Sequence, residues 1–213
     1  MKKLGFTVVK GLLAGIMIAI AACGYLAVEN KYVGSSIFSI GLFAIYFFGF
    51  YLYTGKVGYL LEKKNYFEVL IVFFSNIVGT IGCALLLLNT RIVETGIVER
   101  TAELASHKAH DGLVSVFILS IFCGMLMCLA AKSNDYVQKT KNYLFGAVVI
   151  YLCVLAFLLA GFDHSIANTF YFTLGKVWSM QAVVALIVSA LGNAVGGMCI
   201  GGLFGIMEKE PHH

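Results

Sequence analysis

Charged residues interrupt this chain at long intervals, and the stretches between them are almost wholly apolar. Uncharged runs cover residues 11–28, 32–55, 69–90, 112–131, 142–162 and 177–207. A helix needs about 20 apolar residues to cross roughly 30 Å of hydrocarbon. Each run is therefore long enough to span a bilayer, and the last has residues to spare. Inside lipid no water is available to the backbone N–H and C=O groups, which leaves helices or closed barrels. A barrel would alternate polar and apolar residues over segments of about ten, and no such alternation is present. The pattern predicts an all-α integral membrane protein with six transmembrane helices, residues 1–213 forming a single membrane domain.

Two runs carry internal polar breaks. In the second, Leu52-Tyr53-Thr54-Gly55-Lys56-Val57-Gly58 sets two glycines, a Thr and a Lys into an apolar stretch that ends near Leu61. In the fifth, Gly161-Phe162-Asp163-His164-Ser165-Ile166-Ala167-Asn168 interrupts a run that would otherwise continue to Phe172. Irregular backbone at membrane depth persists only where it is buried in protein or lines a cavity. The third and sixth spans also share an Asn-x-Val-Gly-x core, at Asn76–Thr80 and Asn193–Gly197. Three helices followed by three helices gives two halves of opposite orientation, with a first repeat over about 5–90 and a second over about 112–207. Inverted repeats with interrupted helices in corresponding positions point to a pore or binding site near the midplane. Close packing of helices through small residues accounts for the glycines as well.

Composition narrows the class further. The chain is 60% hydrophobic and 12% charged, against roughly 45–50% and about 25% in soluble domains. Its formal charge of +4 is scattered over short segments, which excludes a nucleic-acid-binding role. Lys2, Lys3, Lys63, Lys64, Lys132, Lys139, Lys141 and Lys209 fall on the side of the N-terminus, and Lys31, Arg91, Arg100, Lys108 and Lys176 on the other. By the positive-inside rule both termini are cytoplasmic. The six cysteines lie in apolar stretches without metal-ligand spacing and read as buried free thiols. Met1-Lys2-Lys3 followed by an apolar stretch and Cys23 imitates a lipoprotein signal, but five further spans follow it. His212 and His213 are read as a tag remnant and carry no weight.

These residues resemble the formate/nitrite transporter family of pentameric, aquaporin-like anion channels. The strongest likeness is Gly161-Phe162-Asp163-His164-Ser165-Ile166-Ala167-Asn168, similar to the family's G-F-(D/E)-H-S-(I/V)-A-N segment in the broken fifth helix. Leu191-Gly192-Asn193-Ala194-Val195-Gly196-Gly197 resembles the sixth-helix L-G-N-x-V-G-G. Phe38-Ser39-Ile40-Gly41-Leu42 and Leu52-Tyr53-Thr54-Gly55 resemble the ends of the broken second helix. Ala105-Ser106-His107-Lys108 and Met125–Ala130 resemble the start and end of the fourth. The likeness implies a central pore histidine at His164, with Asn168 of the same motif and Thr54 facing the imidazole. It implies an anion-attracting lysine at Lys108, a cytoplasmic constriction of Leu42 and Tyr53, and a periplasmic one of Phe38 and Phe157. It further implies a homopentamer in the prokaryotic plasma (inner) membrane, no cofactor, no metal and no catalytic residue. Tyr53 stands where Phe or Leu is more usual, Lys56 adds a charge beside the loop, and Gly124 replaces a frequent Asn. About ten residues precede the first span, which leaves no counterpart to the amphipathic N-terminal helix of many members.

The chemistry expected at such a pore follows from charge. A bare anion in an apolar constriction is too costly, and it neutralises instead. Formate, nitrite and hydrosulfide are conjugate bases of weak acids, and imidazole exchanges protons near neutral pH. A lysine at the mouth raises the local anion concentration. Asp163, beside His164, either orients the ring or caps the following turn, the cap being favoured. The rival readings are a channel for a small neutral solute, and a membrane enzyme or assembly subunit. The enzyme reading lacks paired carboxylates, a Cys/His dyad or a metal cluster within the spans, Glu68 and Asp163 standing isolated.

Overall fold

A computed structural model describes residues 2–208, and His212 and His213 lie outside the described residues. The helices are α1 (Lys2–Leu26), α2 (Lys31–Phe47), α3 (Tyr53–Lys56), α4 (Leu60–Lys63), α5 (Tyr66–Leu87), α6 (Ile97–His110), α7 (Leu113–Thr140), α8 (Tyr143–Leu159), α9 (Ser165–Leu174) and α10 (Met180–Met207). Single 3₁₀ turns occupy Val57–Tyr59 and Arg91–Thr95. Four helices, α1, α5, α7 and α10, are long and apolar enough to cross a membrane, and α2 and α8 are shorter apolar helices. Side-chain caps mark where several begin. Asn30 accepts from the Tyr32 and Val33 amides to start α2, and Ser179 accepts from Ala182 to start α10.

α1 packs on α5 and α2, α7 packs on α10 and α8, and α2 meets α8. α9 lies wholly inside this shell, with all ten of its residues buried. Close approach at two crossings depends on glycine. A Cβ on Gly15 of α1 would collide with the Asn76 carbonyl oxygen of α5, and one on Gly124 of α7 with the Asn193 carbonyl oxygen of α10. Gly124, a departure in the sequence, is thus required by the backbone of α10 running against it.

The shorter helices α2 and α8 end in the same turn. At the end of α2 the Phe50 amide donates to Ile45 and the Gly49 amide to Tyr46. At the end of α8 Phe162 donates to Phe157 and Gly161 to Leu158. Gly49 and Gly161 both take positive φ, +68° and +73°, the left-handed conformation that this helix-ending motif demands and glycine adopts without cost.

Three expectations need correction. The first break was expected at 52–58, but the non-helical stretch is 48–52, and the chain from Tyr53 to Lys63 turns helically. Asn76 is the reason, because its amide replaces the backbone partners lost at Tyr51 and Tyr53. The polar segment before the fourth span is a helix of its own. Ile97, Thr101, Ala105 and Ala109 recur every fourth residue and are buried, while charges occupy the other faces. Ala105–Lys108 therefore belongs to the end of α6 and not to the start of a transmembrane helix. The cysteines are free, but only Cys123, Cys128 and Cys153 are buried; Cys23 and Cys83 are half-buried and Cys199 is exposed.

Candidate functional site

The two breaks, 48–52 and 160–164, are braced by one asparagine each. Asn76 of α5 accepts from the Tyr53 amide at 2.8 Å and donates to the carbonyls of Tyr51 at 2.9 Å and Gly11 at 2.8 Å. Asn193 of α10 accepts from the Ser165 amide at 2.9 Å and donates to the carbonyls of Asp163 and Ser120, both at 2.8 Å. Each side chain thus satisfies the two backbone groups that flank the residue immediately before a short helix, and ties the break to a neighbouring long helix. Both asparagines are fully buried, where an unmet backbone group would be costly.

The residues held between those anchors are Leu52 and His164, which stand immediately before α3 and α9. His164 is buried, and its Nδ1 accepts from the Ala167 amide at 3.2 Å. Nδ1 is therefore the unprotonated nitrogen of the neutral ring, and Nε2 carries the hydrogen. Nε2 lies 3.1 Å from the Thr54 Oγ1, so the second break meets the helix α3 that follows the first break. The imidazole, and not Asp163, caps the turn.

Asp163 instead accepts from the Lys108 ammonium at 2.6 Å and from Asn168 Nδ2 at 3.1 Å through the same oxygen. This overturns its reading as a cap, and it is not an isolated carboxylate. Glu68, read as isolated, lies 3.5 Å from the Lys56 ammonium. Lys108 is correspondingly not a free surface charge. The Asn168 Oδ1 and the Ser165 Oγ are buried without a partner in the protein.

The apolar residues surround this centre. Phe38 and Phe157 are buried and meet edge to face, centroids 5.5 Å apart, and the Phe157 ring lies 5.8 Å from that of His164. Leu42 is buried one turn beyond Phe38 on α2. Tyr53 packs its ring 4.7 Å from Phe73 and donates its hydroxyl to the Ala190 carbonyl at 3.0 Å. The added hydroxyl is thereby satisfied by α10. A cavity of about 750 Å³ borders the second break at Gly161 and Asp163. Another of about 180 Å³ borders the first at Gly49, Phe50, Leu52 and Gly55. Among the described residues no group of three or more His, Cys, Asp or Glu side chains converges as a metal site requires.

Three members of the site were not singled out from sequence: Asn76 and Asn193 as braces, and Asp163 as the partner of Lys108. The repeated Asn-x-Val-Gly core was the signal for the first two. Nothing in the sequence joins Lys108 to Asp163, since 55 positions separate them.

Comparison with known proteins bears on the whole chain. The profile of the formate/nitrite transporter family matches residues 2–207. A probable formate transporter of Methanothermobacter thermautotrophicus is 30% identical over 88% of this chain and 78% of its own length. The formate channel FocA of Escherichia coli is 27% identical over 77% of this chain and 64% of its own. Among solved structures, a pentameric formate channel with formate bound superposes with a TM-score of 0.78 at 22% identity, covering 97% of this chain and 96% of that one. An ion channel of the same family gives 0.82, covering 98% and 91%. These two likenesses establish a shared fold, and with the profile match they lead to one conclusion: the chain belongs to the formate/nitrite transporter family.

Proposed function

We propose that this protein is a transmembrane channel for small monovalent anions of weak acids, formate, nitrite or hydrosulfide, with proton-assisted passage at His164, and that it is not an enzyme. The observation that carries the reading is the contact of Thr54 with His164, where the second break meets the helix that follows the first, between two cavities. The matched asparagine braces and the matched turns at Gly49 and Gly161 support an inverted three-helix repeat. In it α2 with α3, and α8 with α9, form the broken second and fifth of six spans within one membrane domain.

The mechanism follows from cost. An anion approaching the buried ring must shed water before Phe38, Leu42, Tyr53 and Phe157, and a bare charge there is prohibitive. The Nε2–H of His164 points at Thr54, so the hydrogen that an anion needs is presented at the constriction. Protonation of the ring as the anion draws near gives an imidazolium, and transfer of that proton to the basic oxygen or sulfur of the anion yields a neutral acid and restores the neutral imidazole, which takes its next proton from the solvent side. Asn168 and Ser165 supply unpaired oxygens along the same short helix. Lys108, paired with Asp163, sets the charge beside the ring.

Exposed Leu, Ile, Phe and Val side chains cover the outer faces of α1, α5, α8 and α10, surfaces that suit lipid and neighbouring copies. The pentamer named for the matched formate channel is the assembly we assign here. With the lysine bias, both termini face the cytoplasm of a prokaryotic inner membrane.

The test is a flux panel in proteoliposomes with formate, nitrite, hydrosulfide and glycerol at fixed pH, using wild type and His164→Phe. Anion flux that the variant loses supports the reading. Glycerol flux without anion flux would establish the neutral-solute alternative.

A further inference from the structure

We propose that His107 and His110 form a capture site for the permeating anion at the α6 mouth, one that repels anions when the imidazoles are neutral and stops doing so when they are protonated. This rests on the anion-channel reading and names which groups gather the substrate.

The cavity of about 750 Å³ is lined by Glu103, His107, Lys108, His110, Asp111 and Asp163 among its polar residues, and it reaches the break one residue from His164. Its permanent charges do not favour an anion. Lys108 is consumed by Asp163 at 2.6 Å, and Glu103 and Asp111 add two uncompensated carboxylates. Lining charges of +1 and −3 leave a net −2 while both histidines are neutral, and 0 when both are protonated. The only groups here that can offset the carboxylates near neutral pH are the imidazoles, since imidazole is the side chain that ordinarily changes charge between pH 5 and 8.

Their placement suits the task. His107 and His110 are exposed, on the last turn of α6. The His110 Nδ1 lies 2.9 Å from the Ser106 carbonyl oxygen, which can only accept, so Nδ1 carries hydrogen and Nε2 is free to take a proton. A cation is also favoured at the carboxyl end of a helix. The charged groups facing this turn are few. On α6 and its end they are Glu99, Arg100, Glu103, Lys108 and Asp111; the Arg91–Thr95 turn adds Arg91 and Glu94, and the second break adds Asp163 and His164. α9 contributes the tyrosine Tyr171, α10 only Cys199 near its far end, and the end of α1 only Cys23 and Tyr25.

Two charges gained at about 8 Å in water change local anion concentration about fivefold at low ionic strength. The experiment measures formate flux against concentration in proteoliposomes at pH 8 and pH 6, in low and high salt. It compares wild type, His107→Gln/His110→Gln and His107→Arg/His110→Arg. Wild type should show a half-saturating concentration about fivefold lower at pH 6 than the Gln variant, with the two alike at pH 8 and alike in high salt. The Arg variant should hold the low value at both pH values. The maximal rate should be unchanged in all three, because these side chains lie outside the constriction. Equal half-saturation in wild type and the Gln variant at both pH values would overturn the capture site while leaving the channel intact. No anion flux in wild type at any pH would instead overturn the channel reading, and the capture site with it.

Discussion

At the scale of single residues, burial and hydrogen bonding divide labour among the side chains nearest the breaks. His164 is held by the Ala167 amide at Nδ1 and presents Nε2–H to Thr54. In the proposed channel, flux should rise as external pH falls from about 8 toward 6, where imidazole and substrate are both more readily protonated. His164→Asn keeps an amide of similar reach but cannot take a proton. At saturating formate, where capture at His107 and His110 no longer limits, its proteoliposome flux should be flat over that range, and a profile identical to wild type would make His164 purely structural. Lys108 and Asp163 form a nearly buried pair, their side chains 15% and 4% exposed. Removing one partner strands the other, at a cost of about 3 kcal/mol. Lys108→Ala should therefore lower the thermal midpoint in detergent, and Lys108→Ala/Asp163→Asn should recover most of the loss. A lysine acting only as a distant lure would show neither effect. Tyr53→Phe deletes one bond to Ala190 and should cost about 1 kcal/mol of stability.

At the scale of elements, the decisive structures are short. α3 and α9 have 4 and 10 residues, too few for an isolated helix in water. They persist because Asn76 and Asn193 meet the backbone groups at their first turns and α9 is enclosed on all sides. Asn193→Ala removes three hydrogen bonds and leaves buried groups unmet, at about 3 kcal/mol. Far-ultraviolet helicity should survive in that variant while anion flux is lost and the thermal midpoint falls; retained flux would show that the brace is dispensable. The segment 48–63 depends on side chains in the same way. The Lys56 ammonium lies 3.5 Å from the Tyr51 ring centroid, and the Lys132 ammonium 4.5 Å from that of Tyr59, so Lys56, a departure in the sequence, holds an aromatic face of this segment as Lys132 does.

At the scale of the whole molecule, the outer surface is apolar on several helices, with Phe6, Phe74, Leu86, Leu144 and Met180 all exposed. Patches of this kind on a water-soluble monomer would aggregate, and the closed ring in lipid that we propose would cover them. Native mass spectrometry in mild detergent should show five chains. A monodisperse monomer or dimer would count against the assembly proposed here. Orientation is open to a direct measurement. Thr95 and Thr140 are exposed and fall on opposite sides in the proposed topology, so single cysteines there, in a background without the native six, should be labelled from outside and inside respectively. The reverse pattern would invert the topology without altering the fold.

Hydrophobicity along the chain was sufficient to reveal the helical class and the apolar runs, because lipid admits few alternatives for a backbone that must bond to itself. The G-F-D-H-S-I-A-N segment likewise pointed to the second break, although only its first four residues, Gly161 to His164, are non-helical and Ser165–Asn168 already belong to α9. What lay beyond the sequence were the partnerships between distant positions. The first break sits at 48–52 and not around Gly55 and Gly58 because Asn76, more than twenty positions away, supplies the missing backbone bonds. α6 escaped notice because its buried face is made of Ile, Thr and Ala, which carry little hydrophobic signal beside its charges. Lys108 and Asp163 neutralise one another only because the end of α6 folds against the second break. Periodicity and composition act within a few turns of the chain, whereas the charge, bonding and exposure of a site are properties of whatever the fold brings alongside it.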